Sequence, residues 1–283
     1  MGSFVDAEGV RITTYEWPVP RPKAVVQVSH GLGEHAGRYE RLAADLNAAG
    51  YSVFADDHRG HGATGMHQWG DPARLGKLGP GGLRATIEAI HRYTRLLVEE
   101  HPGVPLVLLG HSWGSLMAQI SVNRHAADYA AVVLSGTAYR MAGYMSPGNF
   151  NHRYRHLGTT GVEWLSRDPA VAEAWMKDPL TFPATPAKLL GVRDGLRLWG
   201  RPARSLPEEL PVLIQVGDGD SVGGRRSAER LARAYRERSG IRDVTLHIYP
   251  GARHEVYNET NRDEVIRDLV DWLDSHVALR RSA

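Results

Sequence analysis

The sequence predicts a layered α/β domain built on a mainly parallel central sheet, and three observations support this prediction. Short β-like runs alternate with longer segments that repeat apolar residues about every 3.6 positions, as amphipathic helices do. Some of the short runs are apolar throughout, which is typical of parallel strands covered on both faces. The chain has 283 residues, of which 42% are hydrophobic and 23% charged, so it fits one large globular domain.

The strand and helix signals follow one another along most of the chain. The first helix, predicted over residues 38–49, follows from apolar positions at 39, 42, 43 and 46, and Gly50 ends it. Further helices are predicted around 83–97, around 116–120 and at the C-terminal end around 265–276. The His- and Gly-rich segment 56–65 is predicted to be a loop. Six strands are predicted, at residues 24–29, 51–55, 105–109, 131–134, 212–216 and 244–249.

One region departs from this alternation. Between Ser135 and Pro211 about 75 residues contain no convincing strand but many aromatic residues and methionines. A structureless loop of that length is unusual in a compact domain. We therefore predict a mostly helical cap at 137–208, inserted into a core formed by 1–136 and 209–283.

Composition excludes several classes of function. The chain has no cysteine, which rules out disulfides, thiolate metal ligands and a cysteine nucleophile, and which fits a reducing, cytoplasmic location. A net charge of +2 without a long basic run indicates no nucleic-acid partner. We find neither a secretory signal pattern nor an apolar run near the roughly 18 residues of a membrane span.

The sequence also gives no metal or cofactor signature. Histidines lie at positions 30, 35, 58, 61 and 67, but Gly60 places the pair at 58 and 61 in a loop, and no H-E-x-x-H pattern is present. The glycine-rich segments 79–82 and 217–220 match neither the phosphate-binding loop nor the dinucleotide fingerprint. We therefore expect no metal and no cofactor.

The strongest chemical signal is the segment Gly110-His111-Ser112-Trp113-Gly114. It follows the apolar run 105–109 directly and precedes helix-compatible residues, which is the strand–turn–helix setting that a G-x-S-x-G nucleophile requires. The turn is tight, so glycines on both sides of the serine relieve crowding. Ser112 should then stand above the carboxyl end of the sheet, where open α/β sheets bind ligands.

A serine nucleophile needs a general base and a carboxylate that orients the base. In this strand–turn–helix arrangement the chain order is serine, acid, histidine. Asp218 and Asp220 both follow the strand predicted at 212–216, and we favour Asp220 because it lies further beyond the strand end. His254 follows the last predicted strand and is the predicted base, whereas His247 lies inside that strand.

The tetrahedral intermediate of acyl transfer needs two N–H donors for its oxyanion. We expect one from the backbone of Trp113, the residue after the nucleophile. The loop 30–33, which follows an earlier strand, is placed to supply the second donor from the backbone of Leu32.

Together these residues resemble the monoacylglycerol lipase and lysophospholipase branch of the α/β-hydrolase fold, a serine aminopeptidase S33-like group. The resemblance spans nearly the whole chain. The segments that carry it are 30–39 (HGLGEHAGRY), 57–62 (DHRGHG), 110–114 (GHSWG), 166–169 (SRDP), 178–180 (DPL) and 249–255 (YPGARHE).

The resemblance implies a serine hydrolase that cleaves carboxylic esters, most of all monoacylglycerols or similar single-chain acyl lipids. It implies Ser112, Asp220 and His254 as the triad and the cap over 137–208. It further implies that Glu34, Arg38 and Tyr257 border a small polar pocket for the glycerol end of the substrate. A transient contact between the cap and a membrane surface would fit a lipid substrate.

Two alternatives stay open from the sequence. The polar segment 151–156 in the cap favours an esterase, lactonase or peptidase for a smaller polar substrate. A ligand-binding protein without turnover is also conceivable, although the intact Ser, Asp and His set favours an enzyme.

Overall fold

An eight-stranded sheet forms the centre of the protein in a computed structural model that describes residues 1–277. The strand order is β1-β2-β4-β3-β5-β6-β7-β8, and all neighbours from β4 to β8 in this order run parallel. β1 pairs antiparallel with β2, and β2 pairs antiparallel with β4. The strands are β1 Gly2–Val5, β2 Arg11–Trp17, β3 Val25–Ser29, β4 Ser52–Asp56, β5 Leu106–His111, β6 Ala131–Ser135, β7 Val212–Gly217 and β8 Val244–Tyr249.

Helices cover both faces of the sheet. Helices α1 and α8 pack on one face, against side chains such as Val107 and Leu109. Helices α3, α4 and α7 pack on the other face, where neighbouring side chains of the same strands, such as Leu106 and Leu108, point. The helices are α1 Glu40–Ala48, α2 Gly62–Trp69, α3 Gly82–Glu100, α4 Trp113–His125, α5 Pro169–Lys177, α6 Pro186–Leu198, α7 Gly224–Glu237 and α8 Arg262–His276.

The layered α/β fold and all six predicted strands are confirmed, with ends shifted by one or two residues. The sequence reading missed the N-terminal hairpin of β1 and β2, α2 and α7. The predicted loop 56–65 was wrong at its end, because α2 begins at Gly62 and continues to Trp69. Glycine is required at position 62, because its φ is 52° and an added Cβ would lie 2.2 Å from a carboxylate oxygen of Asp57.

The region between β6 and β7 contains no strand, as expected. It is less helical than the sequence suggested, because α5 has nine residues and α6 has 13 while the segment 137–168 consists of turns and irregular backbone. Gly143, Pro147, Gly148 and Gly161 interrupt that segment. No helix within residues 1–277 combines the length and the apolar character needed to cross a bilayer.

Candidate active site

Ser112 lies at the sharp turn between β5 and α4. Its backbone angles, φ 53° and ψ −125°, belong to a region that residues other than glycine rarely adopt. An added Cβ on Gly114 would lie 2.0 Å from the Ser29 carbonyl oxygen, and one on Gly110 would lie 2.7 Å from the Cα of Ser115. Only glycine fits at these two positions, so the crowding expected from the G-x-S-x-G pattern is present in the fold.

Contacts on both sides hold the turn in this strained conformation. The Ser112 backbone N–H donates to the Ser135 carbonyl oxygen at 3.0 Å, which ties the turn to β6. The Ser112 carbonyl oxygen accepts a hydrogen bond from the Ser115 hydroxyl at 2.6 Å. The Trp113 N–H begins α4, where the first N–H groups have no intrahelical acceptor, and Ser112 provides no side-chain cap.

His254 and Asp220 meet beyond the ends of β8 and β7. The Nδ1 atom of His254 lies 2.9 Å from Oδ1 of Asp220, and both side chains are almost fully buried. Burial by itself would lower the pKa of His254, but the Asp220 carboxylate outweighs burial and the pKa is raised above its usual value. Asp218 takes another position, since its carboxylate accepts from the Gly251 N–H at 2.7 Å.

His254 and Ser112 face the same cavity. The Nε2 atom of His254 is buried and has no hydrogen-bond partner within residues 1–277. The imidazole is held between the rings of Trp164 and His111, with centroids 4.6 and 4.8 Å away. Burial and the neighbouring His254 lower the pKa of His111 to about 4, so His111 is neutral near pH 7.

A loop after β3 packs directly against the serine. An added Cβ on Gly31 would lie 3.1 Å from the Cβ of Ser112. Buried Glu34 fixes the loop, because its Oε1 accepts from the Gly31 N–H at 2.6 Å and from the Tyr39 hydroxyl at 2.7 Å. Leu32 follows Gly31 and lines the cavity beside Ser112.

Two buried histidines, His30 and His58, stack on each other behind this loop, a contact that the sequence did not predict. His30 Nε2 accepts from the His58 backbone N–H at 2.9 Å, so Nδ1 carries the proton and donates to the Gly31 carbonyl oxygen at 2.7 Å. The His58 and His30 rings stack with their centroids 3.9 Å apart. Nδ1 of His58 lies 2.8 Å from Oδ2 of Asp56, and its Nε2 lies 3.0 Å from the Ser29 hydroxyl. The sequence shows histidines on two loops but not that the ends of β3 and β4 bring them together.

The cavity above Ser112 has a volume of about 500 Å³. Ser112, His254 and Leu32 lie at its base, and most of its lining is apolar. The main apolar side chains around it are Leu116, Met145, Phe150, Trp164, Leu190 and Leu198. A space of this size and character accommodates an extended hydrocarbon chain.

A recess of about 20 Å³, enough for about one water molecule, shares Glu34, His111 and Glu255 with the cavity, and Arg38 and Tyr257 also line it. Their polar groups are already engaged within the protein. Arg38 donates to Glu34 at 2.5 Å and to both oxygens of Glu255 at 2.8 and 2.9 Å. Burial favours a neutral Glu255, but Arg38 outweighs it and lowers the pKa of Glu255 to about 2. The Tyr257 hydroxyl donates to Gln215 at 2.9 Å.

The polar cap segment 151–156 lies mostly away from the cavity. His152, Arg153, Arg155 and His156 are exposed to solvent. The Tyr154 hydroxyl donates to the Gly219 carbonyl oxygen at 2.6 Å and thereby anchors the segment near Asp220. Of this segment only Asn151 lines the cavity, so it does not make the cavity polar.

The chain resembles known hydrolases over its full length. A family model described as "Serine aminopeptidase, S33" matches residues 20–261. A monoacylglycerol lipase of Mycolicibacterium smegmatis is 32% identical, with 97% of each chain covered, and the human monoglyceride lipase is 28% identical, with 99% of this chain and 92% of that protein covered. A carboxyl esterase of Bacillus coagulans, solved in complex with glycerol, superposes with a TM-score of 0.85 at 25% identity over 97% of both chains. The chain therefore belongs to the serine aminopeptidase S33 family of α/β-hydrolases.

Proposed function

We propose that this protein is a serine hydrolase that cleaves monoacylglycerols or similar single-chain acyl esters through an acyl-enzyme. The observation that carries the proposal is the strained Ser112 beside the buried His254–Asp220 pair, at the base of a largely apolar cavity. Strain of this kind persists only where the surrounding structure enforces it, and such sites are enriched in functional residues.

In this mechanism Ser112 Oγ attacks the ester carbonyl while His254 Nε2 takes its proton. Asp220 keeps the Nδ1 proton of His254 in place and stabilises the imidazolium that forms. His254 then gives the proton to the leaving alcohol oxygen. A water molecule, deprotonated by His254, attacks the acyl-enzyme and releases the fatty acid with Ser112 restored.

The backbone N–H groups of Leu32 and Trp113 are the proposed oxyanion donors. A trans peptide unit points its C=O and N–H in opposite directions. Because protonated Nδ1 of His30 holds the Gly31 carbonyl at 2.7 Å, it also fixes the direction of the Leu32 N–H. Glu34 holds the preceding peptide through the Gly31 N–H, so two buried side chains orient the donor.

The substrate class follows from the shape and polarity of the cavity. Its largely apolar lining suits a single acyl chain, whereas the recess of about 20 Å³ is too small for a glycerol moiety. The M. smegmatis and human relatives are named for monoacylglycerol hydrolysis, and the B. coagulans esterase was solved with glycerol.

We further propose that residues 137–208 act as a cap whose helix α6 meets a lipid surface. Val192 and Leu196 on α6 are 81% and 64% exposed, and they also line the cavity. Exposed Lys188, Arg193 and Arg197 flank them. An apolar stripe with basic neighbours suits transient contact with an anionic lipid interface.

The decisive experiment compares initial rates on p-nitrophenyl esters of increasing acyl length, monoacylglycerol, a lysophospholipid and an aminoacyl p-nitroanilide. Monoacylglycerol turnover that is lost in Ser112→Ala, together with a preference for medium or long acyl chains, supports the proposal. A preference for acetate esters or for the anilide would replace it with the small-ester or peptidase alternative. Stoichiometric binding without product in excess of enzyme would indicate a ligand-binding protein.

A further inference from the structure

A second cluster of side chains with metal-binding chemistry lies on the face that carries α3 and α4. His91 projects from the middle of α3, His125 ends α4, and Asp128 ends the short 3-10 turn that follows. One ligand atom from each residue lies within 4.8 Å of the others, and all three residues are half-buried. We propose that His91, His125 and Asp128 bind a divalent transition-metal ion of the zinc type.

The contacts among these side chains resemble a metal site in which a proton takes the place of the ion. Nε2 of His91 lies 2.8 Å from Oδ2 of Asp128, so one hydrogen bridges a ligand nitrogen and a ligand oxygen. The His125 ring lies flat on the His91 ring, with centroids 3.6 Å apart and planes 10° apart. An ion would take the place of the bridging hydrogen, and neutral His91 would bind it through Nε2 as the tautomer that carries its single ring proton on Nδ1.

The rearrangement that binding requires is small. Tetrahedral zinc with ligand bonds of about 2.0–2.1 Å separates its ligand atoms by roughly 3.4 Å, whereas here they lie within 4.8 Å. His125 is the last residue of its helix, so its side chain can turn without breaking a helical hydrogen bond. Because the site is half-buried, solvent water can complete the coordination.

The donor set selects the class of ion. Two imidazoles and one carboxylate favour zinc, nickel or copper over magnesium and calcium, which prefer oxygen ligands. Nη1 of Arg95 lies 3.7 Å from Oδ1 of Asp128, and Oδ2 is the oxygen that contacts His91. The ion would therefore bind one carboxylate oxygen and bridge α3 to the end of α4.

This site is separate from the proposed catalytic chemistry. Ser112 precedes the first residue of α4 and His125 is its last, so a rise of about 1.5 Å per residue places them about 20 Å apart. None of the three residues lines the cavity above Ser112. The expected effect of the ion is to cross-link two helices, which raises the thermal midpoint without changing the substrate specificity.

The test uses tag-free protein stripped with EDTA and titrated with ZnCl₂ by calorimetry, with Co²⁺ absorption as a spectroscopic readout. We expect one equivalent of Zn²⁺ to bind and to raise the thermal midpoint, and tetrahedral Co²⁺ to give visible d–d bands. His91→Gln and His125→Gln should each weaken binding about tenfold or more, as the loss of a ligand does. Mg²⁺ and Ca²⁺ should have no effect on the midpoint.

His276→Gln is the matched control. His276 also pairs with a single carboxylate, that of Asp243 at 3.0 Å, but it stacks on a tryptophan rather than on a second imidazole. Its substitution should leave Zn²⁺ affinity unchanged. The metal-free midpoints of all variants show whether each folds. Absence of saturable Zn²⁺ binding by the unsubstituted protein would overturn the proposal, as would a Zn²⁺ affinity in His91→Gln or His125→Gln equal to that of the unsubstituted protein.

Discussion

Asp220→Asn tests how the carboxylate acts on His254, because the structure separates its charge from its hydrogen bonds. Oδ1 of Asp220 lies 2.9 Å from His254 Nδ1 and accepts from the Val222 N–H at 2.7 Å, whereas Oδ2 has no partner within residues 1–277. An asparagine can place its carbonyl oxygen at the Oδ1 position and its amide at the Oδ2 position. Both hydrogen bonds and the imidazole tautomer are then kept, and the main loss is one negative charge.

The size of that loss follows from the short separation of the two groups. Opposite charges about 4 Å apart at an effective dielectric constant of about 20 attract by about 4 kcal/mol. At about 1.4 kcal/mol per factor of ten, kcat/KM should fall roughly 10³-fold. Burial, which lowers the pKa of His254, is then no longer offset by the carboxylate, so the acid limb of the pH profile should move to lower pH.

The assay is kcat/KM for a p-nitrophenyl ester across the pH range in which histidine titrates, with Asp218→Asn as control. Asp218 accepts a single hydrogen bond from Gly251, which asparagine can also accept, so this variant should retain nearly full activity. Asp220→Ala should be less active than Asp220→Asn, because it also removes the hydrogen bonds. Equal activities of the two asparagine variants, or a loss at Asp220 below about tenfold, would refute the reasoning.

Three further predictions follow from neighbouring parts of the site. In the unsubstituted protein, kcat/KM should fall as pH drops through the raised pKa of His254, since only the neutral imidazole accepts a proton; a profile flat down to about pH 4 would exclude this base. Arg38→Ala leaves two buried carboxylates without their cation and should lower the free energy of unfolding by about 3–5 kcal/mol in urea titrations, whereas exposed Arg84→Ala should not change it measurably. Gly114→Ala should abolish labelling by a fluorophosphonate and lower the thermal midpoint, because its Cβ would lie 2.0 Å from a carbonyl oxygen. The control Gly195→Ala should keep the midpoint, because no atom lies within 4 Å of its added Cβ. The opposite ranking of the two midpoints would contradict the close approach at the turn.

The sequence predicts the core of the sheet well because burial on both faces leaves an unambiguous pattern. Strands β3 to β7 are buried throughout, so most of their residues form short apolar runs, whereas the edge strand β8 is only half-buried in its middle. In the hairpin, β1 alternates between half-buried and exposed residues, and β2 exposes Arg11 and Glu16 on either side of buried residues that include two threonines. Its polar and charged residues therefore hide it from a search for apolar runs.

The position of Ser112, Asp220 and His254 was predictable because each follows a recognisable strand. The ion pairs of Arg38 were not predictable from the sequence. Its strongest partner, Glu255, lies 217 residues further along the chain, and only the fold brings the two together. From sequence, Arg38 therefore looks like a free donor for a substrate hydroxyl, whereas in the structure two carboxylates already occupy it.

The polarity of the cavity could not be inferred from the composition of the cap, because irregular backbone surrounds the cavity. In a helix or strand the period shows which residues share a face, but the segment 151–156 consists of turns and has no period. Its arginines and histidines suggested a polar cavity, yet they face solvent while Phe150 and Trp164 point inward and pack with their rings 4.8 Å apart. The apolar lining of the cavity is therefore our structural reason for favouring a single-chain acyl ester over a small polar ester.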